Sequence, residues 1–256
     1  MGIHPTAIVN KGAVLGEGVE IGPYSIIGPN VVIGDNTRLM SHVVLDGWTK
    51  IGKDCTIFPF ASIGTQTQDL KYKGAKTFVE IGDRTTIREY VTVNSSTNEG
   101  ETTRVGSGCL LMACSHVAHA CEVGNGVIMA NYVGLAGHIV VEDNAILGGM
   151  AGVHQFVRIG RLCMIGGYSK VIKDCPPYMT IDGNPAEVRG LNSEGMKRKN
   201  VDPKAQKLLK EAYRILCREG LSTSSALEKI EAELEKCLEL EHLISFIKKS
   251  ERGITK

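Results

Sequence analysis

At 256 residues the chain has room for one large domain or two smaller ones. Its 29 Lys and Arg against 28 Asp and Glu leave a formal net charge of +1, which excludes a global charge driving it to nucleic acid or a membrane surface. Aromatic residues make up 5% while glycines number 30, an unusual balance for a core of large side chains.

From Ile3 the sequence repeats every six residues: Val9, Leu15, Ile21, Ile27, Ile33 and onward to Val171. That phase has 29 slots, and only Asp69, Ala75 and Glu99 break its aliphatic run. Glycine follows the frame residue in 12 units, as at Gly16, Gly28 and Gly160, which suits a corner needing unusual dihedrals or close backbone approach. Two positions before the frame residue lies a second inward slot with small side chains, among them Ala7, Ala13, Val19, Ser25, Val31 and Thr37. A period of six does not match a helix of 3.6 residues per turn, so each unit reads as a short strand plus a corner of a β-solenoid. This pattern resembles the left-handed parallel β-helix acyltransferases, with three faces and 18 residues per coil. The left hand comes from that resemblance, since general crossover statistics favour the right.

Two polar interruptions, 65–79 (TQTQDLKYKGAKTFV) and 94–104 (NSSTNEGETTR), read as loops thrown out from a corner. The second reads equally well as a solvated turn. After Val171, CPPYMTIDGNP ends the repeat, because Pro176 and Pro177 cannot serve a central ladder. The expected division is a β-helix over 1–190 and a small α-helical domain over 191–256, which also covers the end of the solenoid. In that domain Asp202-Pro203 is a capped helix start, and Leu208, Leu209, Ala212, Ile215 and Leu216 form one apolar face. Gly220 closes that helix, Ser222–Ser225 opens another carrying Leu227, Ile230 and Leu234, and a last helix is expected near 238–249.

The stretch CSHVAHAC, residues 114–121, has the look of a zinc site. The six-residue phase argues otherwise. Cys121 falls in the inward slot, as do Cys55, Cys109, Cys163 and Cys175, whereas His119 points outward. Stacking by 18 places Gly137 and then Gln155 above His119, with His138 and His154 flanking the column and His116 one corner back. An imidazole there suits a general base, and a glycine one strand away offers an unshielded N–H for an oxyanion. A hydrogen-bonded surface is the plainer meaning of the same histidines.

The motifs QDLKY (68–72), SHVAH (115–119), LAGH (135–138), VHQF (153–156), PPY (176–178), DGNPA (182–186) and LNSEGMKR (191–198) together resemble the UDP-N-acetylglucosamine O-acyltransferases of lipid A biosynthesis. The resemblance spans essentially the whole chain. It implies transfer of a (3R)-hydroxyacyl group from acyl carrier protein to the 3-position of UDP-N-acetylglucosamine or its 3-amino analogue, in a homotrimer with sites between prisms. It makes His119 the base and Gly137 the oxyanion donor. Asp69, Lys71, His116, His138, His154 and Gln155 become substrate contacts, and Asn192, Glu194 and Arg198 a nucleotide-binding segment. Gly167 becomes a ruler of acyl length. Lys170, Lys173 and Arg189 are candidates for meeting the acidic carrier. The chemistry needs no metal or bound cofactor. One residue departs from the family pattern: Ala120 stands where an Asp usually follows the base.

The alternative on the same prism is a zinc hydratase of the γ-carbonic anhydrase type, but His119 and His154 are 35 residues apart and occupy neighbouring columns. A sister acyltransferase acting on a sugar amine typically carries an extra domain before the repeats, which here begin at Ile3. A purely structural solenoid would need neither the histidine column nor the first loop. No apolar run approaches the length of a membrane span, the start MGIHPTAIVNKG lacks a basic-then-apolar leader, and the eight cysteines follow no framework spacing. No membrane span, no nucleic-acid partner and a reduced, cytoplasmic compartment are therefore expected.

Overall fold

The structure, a computed structural model, describes residues 2–256. Most of the chain winds into a three-faced parallel β-helix, left-handed as the family resemblance implied. The first sheet runs from Gly2–Ile3 to Glu187–Leu191, the second from Ile8–Val9 to Lys170–Val171, and the third from Val14–Leu15 to Arg158–Ile159. Register advances by one coil, pairing Ile3 with Ile21, Val9 with Ile27 and Leu15 with Ile33. Because strand side chains alternate, the frame aliphatics and the slots two residues earlier form one continuous axial core. Cys55, Cys109, Cys121, Cys163 and Cys175 are all buried in it. Ile3, in the first coil among the described residues, is exposed.

The register explains how the phase survives the interruptions. From Ile51 to Ile81 the step is 30 residues and from Ile81 to Val105 it is 24, whereas the flanking coils, Ile33 to Ile51 and Val105 to Val123, step by 18. The insertions are whole multiples of six, so Asp69, Ala75 and Glu99 lie in loops and not at the axis. Strands Ser62–Thr65 and Phe78–Ile81 bound the first loop, and Thr92–Asn94 and Thr102–Val105 bound the second. Both loops are therefore slightly shorter than the interruptions in the sequence. The second is no solvated turn: Ser95, Ser96 and Thr97 are buried.

The corner glycines serve close approach. A Cβ on Gly22 would lie 2.6 Å from the carbonyl carbon of Met40 in the next coil. Positive φ falls instead on residues such as His138 (58°) and Phe156 (63°), each of which donates its N–H to the preceding coil, His138 to His119 O and Phe156 to Gly137 O. Left-handed backbone costs a non-glycine residue about 1 kcal/mol, and these inter-coil bonds offset it.

Helices α1 (Ser193–Arg198), α2 (Pro203–Arg218), α3 (Thr223–Glu233) and α4 (Leu238–Lys248) follow the prism. Asp202 caps α2 through Lys204 N, and Ser222 caps α3 through Ser225 N. Leu209, Ala212, Ile215 and Leu216 are buried as expected, with Ala205 added and Leu208 only half-buried. Helix α4 docks on the last coils: the Arg158 guanidinium lies over the Phe246 ring, and His242 bridges Glu142 (3.0 Å) and the Tyr178 hydroxyl (3.1 Å). Among the described residues no helix is long and apolar enough to cross a membrane.

Candidate active site

His119 sits on the edge between the second and third sheets, just after the strand His116–Val117. Its ring lies against the backbone of Gly137 in the next coil so closely that a Cβ at 137 would run into Nε2. Glycine is required there by space, with no unusual φ involved. The Gly137 N–H has no hydrogen-bond partner among the described residues, so it remains free to meet an acceptor beside the ring.

The first loop folds back over this edge and brings Asp69 Oδ2 to 3.9 Å from His119 Nε2. Asp69 is held by Thr97 Oγ1, which donates to Oδ2 at 3.0 Å, and by Lys71 N, which donates to Oδ1 at 3.0 Å. The Lys71 N–H, reinforced by the Thr97 hydroxyl and by the charges of His119 and Lys71, holds the Asp69 carboxyl below its usual range. Burial pushes the His119 imidazole below the usual histidine value, and Asp69 opposes that shift without cancelling it. His116 is likewise pushed down by burial, and its Nδ1 contacts Thr92 Oγ1 at 2.7 Å. At the same edge His138 meets His119 edge-on, with centroids 5.2 Å apart, and stacks on Phe156 at 4.8 Å. His154 and Gln155 follow in the next coil, both exposed.

The corner beneath His119 has an unusual support. Ala120, at φ 52°, cannot donate to a regular coil because the second loop interrupts it. Its N–H instead meets the hydroxyls of Ser96 (3.0 Å) and Thr103 (2.9 Å). These residues, like Thr97 and Phe156, escaped sequence reasoning. The second interruption hinted at Ser96, Thr97 and Thr103, and the VHQF motif held Phe156 without giving it a role.

The cysteine–histidine stretch does not converge. The Cys121 thiol donates to Ala136 O inside the prism, and burial pushes it up to about 12, so it stays protonated on the far side of the backbone from His119.

Other expected site residues lie elsewhere on the chain. Gly167 is on the edge between the first and second sheets, stacked on Gly149, whose carbonyl oxygen would lie 3.2 Å from a Cβ at 167. Asn192 lies near the edge between the third and first sheets, where its Nδ2 donates to Leu162 O and its Oδ1 accepts from Gly195 N at the start of α1. Glu194 pairs with Lys197, and Arg198 is exposed. Lys170, Lys173 and Arg189 are exposed, and Arg189 pairs with Glu187. The candidate residues thus occupy three different edges of one prism.

Comparison with known proteins bears on this arrangement. The chain matches the family described as bacterial transferase hexapeptide (six repeats) over residues 2–34, and that described as Udp N-acetylglucosamine O-acyltransferase, domain 2, over residues 174–255. It is 46% identical over 190 residues, 74% of this chain and 69% of the relative, to the acyl-[acyl-carrier-protein]–UDP-N-acetylglucosamine O-acyltransferase of Gloeothece citriformis. The solved structure of LpxA from Acinetobacter baumannii is 46% identical with a TM-score of 0.95, covering 99% of both chains. That of the UDP-N-acetylglucosamine acyltransferase of Bacteroides fragilis is 43% identical with a TM-score of 0.96, also covering 99% of both.

Proposed function

This chain belongs to the UDP-N-acetylglucosamine O-acyltransferase family, and we propose that His119 is the general base with which it moves an acyl chain from acyl carrier protein to the sugar 3-position. That transfer opens lipid A biosynthesis. The zinc hydratase alternative finds no support, because these relatives are acyltransferases.

The observation that carries the reading is the contact between the His119 ring and Gly137. Nε2 takes the proton of the 3-hydroxyl as that oxygen attacks the thioester carbonyl, and the Gly137 N–H meets the charge that develops on the carbonyl oxygen. The C–S bond then breaks, and the imidazolium returns its proton to the departing thiolate. A low-lying imidazole is neutral at working pH and ready to accept that proton. Asp69 and Lys71 contact the sugar and its phosphate, with His116, His138, His154 and Gln155 completing the acceptor side.

Gly167 and the segment Asn192, Glu194 and Arg198 lie on other edges than His119, so one prism cannot gather them. A homotrimer, each edge facing a neighbour, supplies the missing parts. The row Tyr24, His42, Phe60 and Tyr90, exposed and with ring centroids about 5 Å apart along the first–second edge, suits coverage by a second copy. The acyl donor is a (3R)-hydroxyacyl chain on acyl carrier protein, whose acidic surface meets the exposed Lys170 and Lys173. Both substrates and buried thiols such as Cys121 suit the cytoplasm.

The test is turnover of the His119→Ala protein with carrier-bound acyl chains and with both the 3-hydroxyl and 3-amino sugars. We expect a loss of at least ~10²-fold, the lower range for removing a general base, with UDP-sugar binding retained. Near-normal turnover would remove His119 from the chemistry.

A further inference from the structure

The segment after α4 folds back onto the last coil of the prism. Asp174, 1% exposed, organises it: its N–H donates to Gly253 O (3.1 Å), its carbonyl accepts from Thr255 N (2.8 Å), and its Oδ2 accepts from Ser250 Oγ (2.8 Å). Oδ1 of the same carboxylate accepts from Arg158 N, which ties the segment to the third sheet. Arg252 is thereby held against the 154–155 turn. Its Nη1 donates to Gln155 O at 3.0 Å, and its Nη2 lies 3.3 Å from His154 Nδ1. It also lines a cavity of about 570 Å³ with His138, Phe156 and Arg158, on the side of the prism that carries His119.

A guanidinium donates hydrogen bonds and accepts none, and it is charged at every working pH. Nδ1 of His154 must therefore present its lone pair to Nη2, which leaves the ring proton on Nε2. The competing tautomer would aim an Nδ1–H at Gln155 O, 3.2 Å away, and set that hydrogen against the hydrogen of Nη2. We propose that Arg252 is a positioning residue of the active site: its fork holds the 154–155 turn and fixes His154 as the Nε2–H tautomer, which offers one donor outward. The inference rests on the reading that His154 and Gln155 meet substrate, which the tautomer itself does not require.

Arg252→Ala and Arg252→Lys, made in the full chain, test it through two readouts. In ¹⁵N spectra of histidine-labelled protein, with His154→Gln identifying the signal, the native ring should show a protonated Nε2 and a bare Nδ1. Arg252→Ala should lower the share of that tautomer, and Arg252→Lys should keep it only in part, since an ammonium is also a pure donor but lacks the fork that reaches both Gln155 O and His154 Nδ1. Turnover of Arg252→Ala should fall by on the order of 10- to 100-fold, the size expected when a contacting group drifts. Added guanidinium ion should restore part of it, with an unchanged melting temperature. A native tautomer in Arg252→Ala, normal turnover, or no rescue by guanidinium would overturn the proposal. Normal turnover and UDP-sugar affinity in His154→Gln would instead sink the assignment of His154 to the substrate site.

Discussion

Asp69 Oδ2 lies 3.9 Å from Nε2 of His119, a residue 50 positions later, on the nitrogen that also faces Gly137. A carboxylate at position 120 would orient the ring from beside it, and Ala120 supplies none. The Nδ1 of His119 has no hydrogen-bond partner among the described residues, so Asp69 does not stand in for the missing group on that side. It does bias the ring toward its protonated form, while burial biases it the other way and prevails.

The sign of the pH dependence follows. If His119 is the base it must work as the neutral ring, and a value below the ordinary histidine range keeps it neutral further into acid. The acidic limb of turnover should therefore lie below ~6.5, the unperturbed histidine value. Asp69→Asn removes the charge that raises the imidazole value and should move that limb lower still. Ala120→Asp adds a charge and should move it higher. The backbone at φ 52° suits aspartate, so the second variant should fold without loss of melting temperature. Limbs that superimpose across all three proteins would mean that neither position couples to the base.

Gly137→Ala places a methyl where the His119 ring now lies. Ring and N–H can no longer share the space, and kcat should fall by about 10²- to 10³-fold, as when one oxyanion donor is lost. The melting temperature should stay near native, because the clash is with the far end of a side chain, 17% exposed, that can turn aside. Single-turnover kinetics with saturating substrates check it, and a native rate would remove Gly137 from the oxyanion role.

Gly167 and Gly149 stack without side chains on the first–second edge. If the acyl chain lies along them, Gly167→Met shortens the preferred donor. Competition between carrier-bound chains of several lengths reads this directly, and an unaltered length profile would remove Gly167 from the ruler.

The period of six was sufficient to place every frame residue, because in a solenoid each coil repeats the surroundings of the last. Val117 and Cys121 had to face inward and His119 outward for that reason alone, and the same translation set Gly137 above His119. Even the two loops respected the frame, being whole multiples of the repeat. Nothing periodic governs what lies off the prism. Asp69 reaches His119 because a loop folds back across an edge, Ser96 and Thr103 take over a corner's hydrogen bond, and Arg252 returns over a separation of 97 residues to grip the 154–155 turn. Those contacts depend on where irregular backbone settles against a rigid surface, which local pattern does not encode. The division of candidate residues among three edges also belongs to the tertiary structure, since it follows from the triangular section of the coil.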